Sequence, residues 1–179
     1  MGNNKPTYYI DADVFITLIE TPATEEPSKI IEAMLSDAGA GKVRVVTSMI
    51  TIAEVAFAKA ELDKKTLDPA VEAKIDRLWH PSSPVRLVEV HELIVKRARS
   101  LLREGVKNGW SKTRAHDAIH LATAEREGAD KLITYENAMK KWEPVIGITV
   151  SEPCIVGQGS ELTLFGSSSV KEEQGRTET

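Results

Sequence analysis

A three-layer α/β/α sandwich around a central, mainly parallel sheet is the fold that this 179-residue sequence predicts. Three observations predict it. Short apolar runs rich in β-branched residues recur along the chain, as buried strands do. Longer stretches with apolar residues three and four apart separate them, as amphipathic helices do. Glycine and proline punctuate the ends of these stretches. Regular alternation of this kind favours parallel strands with helices on both faces, and such sheets bind ligands beyond the carboxyl ends of their strands.

The first strand is TYYID, from Thr7 to Asp11. PSKIIEAMLSDAGAG follows as a helix, with Pro27 in its first turn and glycines at its end. KVRVVTS is the second strand, and SMITIAEVAFAKAEL reads as one long helix opening at a Ser48 cap. PAVEAKIDRLW offers an amphipathic surface, and PVRLVEV is the third strand. HELIVKRARSLLREG is a helix that closes on Gly105, and TRAHDAIHLATAEREG one that closes on Gly128. DKLIT and PVIGITV complete the strands. One domain is expected over residues 1–150. From 151 to 179 the composition shifts to Gly, Ser and charge and reads as a mobile C-terminal tail.

The bulk properties narrow the function. With 41% hydrophobic and 28% charged residues, the composition is that of an ordinary globular domain. The net charge of −4 argues against coating nucleic acid by overall field, and leaves room for a local basic groove. Cys154 is the only cysteine, so no intrachain disulfide forms, which suits a reducing cytoplasm. The polar start MGNNKPT reads as no signal peptide, and no apolar run approaches the roughly 18 residues of a membrane span. A cytoplasmic location is expected.

Four acids fall where that architecture places ligands. Asp11 ends the first strand, and Glu54 lies about two turns into the helix after the second, among Ile52, Val55 and Phe57. Asp117 sits near the start of a later helix, and Glu136 follows the LIT strand. Each has an ordinary structural explanation: Asp11 or Asp13 as a helix cap, Asp117 as a favourable first-turn charge, Glu136 as a cap for NAMKKW. Glu54 resists one, because a carboxylate on an apolar face needs a partner. Several carboxylates within a few ångströms cannot all stay ionised without a cation. An all-oxygen set favours Mg²⁺ or Mn²⁺ over zinc and suits metal-assisted phosphodiester hydrolysis.

The segments YYIDADVFITL, TSMITIAEVAFAK and HDAIHLATAEREGADKLITYENAMKKW, in that order, resemble the PIN-domain nucleases, especially toxins of the VapC type. The resemblance spans about Thr7 to Val150, and DAIHLATA followed by a glycine, a strand and a Thr-x-acid turn is its most specific part. It implies a parallel-sheet sandwich whose acids bind Mg²⁺ or Mn²⁺ and cleave RNA. By motif, Asp11, Glu54, Asp117 and Glu136 are the first to fourth family acids, both catalytic and metal-binding. Thr134 matches the threonine before the fourth acid. The family's fourth acid is usually aspartate, one methylene shorter than Glu136. Asp13 stands where the family usually has a small polar residue that orients the first acid; a water-mediated role and a helix cap are both open to it. The resemblance also implies a small antitoxin protein as partner, and a homodimer.

Lys112 and Arg114 before Asp117, and Lys140 and Lys141 after Glu136, are candidate phosphate contacts, or else solvated helix-end charges. Trp110 suits either a lid or a platform for an unpaired base. His120 reads as packed, and His116 as facing the rim. Two rival readings remain. In a haloacid-dehalogenase-like phosphatase, Asp11 would be the nucleophile, Asp13 the general acid and Thr47 a phosphate ligand. That reading leaves Glu54 without a role. The other rival is a non-catalytic module of the same fold that binds RNA or protein.

Overall fold

The computed structural model describes residues 5–110 and 112–155. Five strands, β1 (Thr7–Ile10), β2 (Arg44–Ser48), β3 (Val85–Val88), β4 (Lys131–Ile133) and β5 (Thr149–Ser151), form one sheet in the order β3-β2-β1-β4-β5. All four pairings are parallel. The first strand is the middle one, with Tyr9 level with Val46 on one side and Leu132 on the other. Parallel neighbours need crossovers, and the helices supply them. The tail expected beyond the sheet falls, from residue 156 onward, outside the described residues.

The pleat divides the core. Tyr8 and Ile10 point to one face, where α1 (Ala12–Glu20), α2 (Glu26–Gly39) and α5 (Pro69–Trp79) pack with Phe15, Ile31 and Met34. Tyr9 points to the other face, against α6 (Glu92–Lys107) and α7 (Ala115–Arg126). The sandwich therefore has the three layers that the sequence predicts. The α5 segment is half-covered: Val71, Ile75, Leu78 and Trp79 lie against the core, and the rest of it is exposed.

Three sequence expectations are corrected. SMITIAEVAFAKAEL is not one helix: α3 (Ile50–Glu54) lasts five residues, and α4 (Lys59–Lys64) begins after a break. Val55 leaves helical geometry at φ −97°, ψ 51° and takes its own side chain into the core, which turns the chain away. Gly105 does not end its helix, because α6 continues to Lys107. A Cβ on Gly105 would lie 3.2 Å from the Trp142 ring, so the glycine is there for a close approach between side chain and backbone. PVIGITV is not all strand. Its first half is α8 (Glu143–Ile146), which ends at Gly147 with φ +68°, and only Thr149–Ser151 joins the sheet. The NAMKKW segment before it is a 3-10 helix, Asn137–Trp142, with Glu136 at its N-cap.

Candidate functional site

The strand order sets the site. Because β2, β1 and β4 are adjacent, the segments leaving their carboxyl ends share one rim: Asp11 after β1, α3 after β2, and Thr134–Glu136 after β4. The start of α7 packs over the same edge and brings Asp117.

Asp11 is buried and caps α1, its Oδ1 accepting the Ala12 N–H at 2.7 Å. Its Oδ2 lies 3.1 Å from the Thr134 hydroxyl. Asp13 reaches the same hydroxyl at 2.8 Å and accepts the Tyr135 N–H at 2.8 Å. It is therefore a tether between α1 and the turn after β4. Thr134 Oγ1 in turn accepts the Glu136 N–H at 3.0 Å. Burial, and next the Asp11 charge, push Asp13 up to about 6. The second oxygen of Asp13, Oδ1, is buried with no hydrogen-bond partner among the described residues.

Glu54 ends the short α3, and its Oε2 lies 2.7 Å from His120 Nε2. The same nitrogen is 3.4 Å from Asp11 Oδ1, so one imidazole edge lies between the first two acids. Asp117 is the third residue of α7, where its Oδ2 accepts the Arg114 N–H at 2.8 Å and its Oδ1 lies 3.1 Å from His116 Nε2. Glu136 is exposed at the outer edge. Burial and then the charges of Asp117 and Asp11 raise its pKa, and Arg114 and His116 pull it back down.

Asp11 and Asp117 are thus electrostatic neighbours of Glu136, and with Glu54 they surround His120. Among the described residues, no three His, Cys, Asp or Glu side chains are already gathered into a metal cage. Their oxygens are instead turned to the nearest N–H groups: Asp11 to Ala12, Asp117 to Arg114, Glu54 to His120. The donor chemistry nonetheless fits a hard divalent cation. The ligands on offer are carboxylate oxygens, they repel one another, and a buried Asp13 oxygen beside them is unpaired.

The flanking residues fall into place less evenly. Arg114 is exposed at the start of α7, its charge within reach of Glu136. Lys112 is exposed in the preceding turn, and Lys140 on the 3-10 helix. Lys141 lies over the Trp110 ring at 5.6 Å, and Trp110 packs edge-on to Trp142 at 5.0 Å, so this indole is half of a pair before it is a platform. Around Glu54 the apolar side chains Met49, Ile52 and Phe57 are exposed, contrary to the buried face expected there.

The phosphatase reading loses its phosphate ligand. Thr47 is fully buried and donates to the Ile10 carbonyl at 2.7 Å, facing inward.

His120 is packed, as the sequence predicts; the partners that sequence reasoning passed over, Tyr9 above all, lie behind Glu54. Tyr9 Oη is 2.6 Å from His120 Nδ1 and accepts the Ser48 N–H at 3.1 Å. Burial, reinforced by Asp11, holds the Tyr9 phenol well above its ordinary pKa, so it stays protonated. Burial disfavours the His120 cation most, but the Glu54 hydrogen bond and the charges of Asp11, Glu54 and Asp117 outweigh it and raise the pKa. The one signal in the sequence is that Asp117 and His120 are three apart and share a helix face, which places His120 near the rim without naming its partners.

The profile of the PIN domain family matches residues 8–143 of the chain. No curated protein matches it. Several solved structures share the fold. VapBC2 from Rickettsia felis, bound to a DNA fragment from its promoter, has a TM-score of 0.61 at 15% identity, over 82% of this chain and 98% of that one. A toxin–antitoxin complex from Klebsiella pneumoniae gives 0.52 at 22%, over 82% and 97%. VapC20 of Mycobacterium tuberculosis, a toxin that cleaves the sarcin–ricin loop, gives 0.52 at 16%, over 75% and 94%.

Proposed function

The chain belongs to the PIN domain family, and from that membership we propose that it is a metal-dependent endoribonuclease, the toxin of a toxin–antitoxin pair. One observation carries the reading. Asp11, Glu54 and Asp117 all act on the buried His120, and Asp11 and Asp117 also act on Glu136, so residues spread over 126 positions of sequence meet at one edge of a parallel sheet.

Asp11, Glu54, Asp117 and Glu136 are the residues that would hold Mg²⁺ or Mn²⁺, as their all-oxygen chemistry favours. When bound, such an ion acidifies water and offsets charge on the phosphodiester. The protein's own residues do the positioning. Ala12 N–H and Thr134 orient Asp11, Arg114 N–H orients Asp117, and His120 orients Glu54. Asp13 locks the turn that carries Glu136. Water adds to phosphorus, the bond to the leaving ribose oxygen breaks, and that oxygen takes up a proton. Glu136 is the most exposed of the four acids and lies at the solvent side of the rim. Arg114 and Lys112 flank the rim as phosphate contacts for single-stranded RNA.

The exposed Met49, Ile52 and Phe57 beside Glu54 form an apolar margin suited to a small antitoxin laid along the acidic rim. The protein acts in the cytoplasm, where its RNA substrate is; among the described residues no helix is long and apolar enough to cross a membrane. A homodimer is part of the reading, and α5 supplies a half-covered face for it. A monomeric mass by light scattering at micromolar concentration would remove that part.

The test is cleavage of a mixed-sequence RNA with Mg²⁺ or Mn²⁺, with EDTA, and with Asp11→Asn. Cleavage that requires metal and Asp11 supports the reading. Metal-independent cleavage, or hydrolysis of a small phosphomonoester in its place, overturns it.

A further inference from the structure

Glu54 differs from Asp11 and Asp117 in what holds it. Asp11 and Asp117 are anchored by backbone N–H groups of their own helices. Glu54 ends a five-residue helix followed by a break, and its partner among the described residues is a side chain 66 positions away. That partner, His120, is buried at 2% side-chain exposure and is itself held on its far side. A carboxylate only accepts, so His120 Nε2 carries the hydrogen toward Glu54, while Nδ1 pairs with the Tyr9 hydroxyl, which accepts from the charged ring and donates to the neutral one. Tyr9 Oη accepts from the Ser48 backbone. Ser48 N–H, Tyr9, His120 and Glu54 therefore form one continuous hydrogen-bonded chain.

The chain also spans the elements that carry the acids. Ser48 ends β2, Tyr9 lies on β1 two residues before Asp11, and His120 is on α7 one turn after Asp117. A buried histidine needs partners wherever it is packed. These partners, however, connect the ring to Glu54, whose hydrogen bond among the described residues is to this imidazole, and to the middle strand of the sheet, whose Tyr9 is fully buried. We propose that Tyr9 and His120 are positioning residues that hold the Glu54 carboxylate in place for divalent-cation binding. The inference rests on reading Glu54 as a metal ligand. Removing the groups that orient a metal ligand typically weakens affinity about 10- to 100-fold.

The experiment is Mn²⁺ binding to the metal-free full chain, followed by the electron paramagnetic resonance signal of free Mn²⁺. The proteins are the parent, Tyr9→Phe, His120→Gln, Glu54→Gln and the double variant Tyr9→Phe/Glu54→Gln. Tyr9→Phe keeps the buried ring and deletes only the hydroxyl. The expected result is Mn²⁺ affinity about tenfold weaker in Tyr9→Phe, with no further loss when the change is added to Glu54→Gln. His120→Gln, which keeps a donor for Glu54 but loses the link to Tyr9, should lose at least as much as Tyr9→Phe, and a smaller loss would overturn the role of Tyr9 through His120. If Glu54→Gln weakens binding and Tyr9→Phe does not, the positioning role is wrong and Glu54 remains a ligand. An undiminished Tyr9→Phe effect in the Glu54→Gln background means that Tyr9 acts through general packing, which also overturns the role. If Glu54→Gln leaves Mn²⁺ affinity unchanged, Glu54 is not a ligand and the underlying reading fails.

Discussion

The Thr134 hydroxyl lies 2.8 Å from Asp13 and 3.1 Å from Asp11, so a single hydroxyl hydrogen is placed against two carboxylates. The shorter contact is with Asp13, which also takes the Tyr135 N–H. The consequence is two negative groups at close quarters, one of them with a buried oxygen that has no hydrogen-bond partner among the described residues.

That crowding predicts a pH effect on the metal-free protein. In the folded state Asp13 titrates at about 6 against an ordinary 3.8, chiefly through burial and next through Asp11. The folded chain therefore keeps a proton that the unfolded chain releases between about pH 4 and 6. Stability from this group is present below the window and lost as pH rises through it. Asp13→Asn should remove that slope, a difference on the order of 2 kcal/mol between the ends of the window after allowance for partial exposure. Urea melts of both proteins in EDTA at half-unit pH steps read the slope. Parallel curves for the two proteins would refute it.

A second prediction concerns packing under the site. Gly105 meets the buried Trp142 ring, whose Cη2 would lie 3.2 Å from an added Cβ. Gly105→Val should cost about 2 kcal/mol, because overpacking outweighs the gain in helix propensity. Chemical denaturation measures it. An unchanged midpoint would mean that Trp142 moves freely, which its burial argues against.

A third concerns substrate. Arg114 is exposed, at the head of the helix that carries Asp117, with its charge within reach of Glu136. Arg114→Ala should raise KM for RNA several-fold with kcat little changed, and should shallow the salt dependence by about 0.7 in log–log slope for one phosphate contact on a single strand. Kinetics at several salt concentrations separate this from a catalytic loss. A fall in kcat at unchanged KM would assign Arg114 to the chemistry instead.

Much of this site could be read from the chain because it depends on local order. Asp11 and Glu136 follow strands, and Asp117 opens a helix; alternation alone then sends all three to one edge. The middle layer was legible for the same reason, since β-branched runs such as RVVTS pack only as buried strands. Glu54 stands out in the sequence as a charge on an apolar face, but its setting differs from that expectation. The apolar period of SMITIAEVAF continues past the point where Val55 turns inward, so hydrophobic pattern could not mark the break. The exposure of Ile52 and Phe57 follows from that break. PVIGITV failed similarly, because Pro144 and Gly147 were outweighed by the β-branched residues around them. The Tyr9–His120 contact joins positions 111 apart and depends on strand register, which no local pattern encodes.

The account's central claim is that Asp117 acts with Asp11 and Glu54 on one divalent cation, and paired thermal melts test it most directly. The parent and Asp117→Asn are melted with EDTA and then with Mg²⁺ at about a hundredfold excess over the parent's Kd. The substitution keeps an acceptor for the Arg114 N–H and removes one charge. Without metal, the variant should be as stable as the parent or slightly more so, because repulsion at the rim is relieved. With Mg²⁺ the parent should gain about 2.7 kcal/mol, a rise of roughly 5–10 °C for a chain of this size, and the variant much less. Equal Mg²⁺-induced shifts in the two proteins, or no shift in the parent, would contradict the claim and leave Asp117 as a helix-capping residue only.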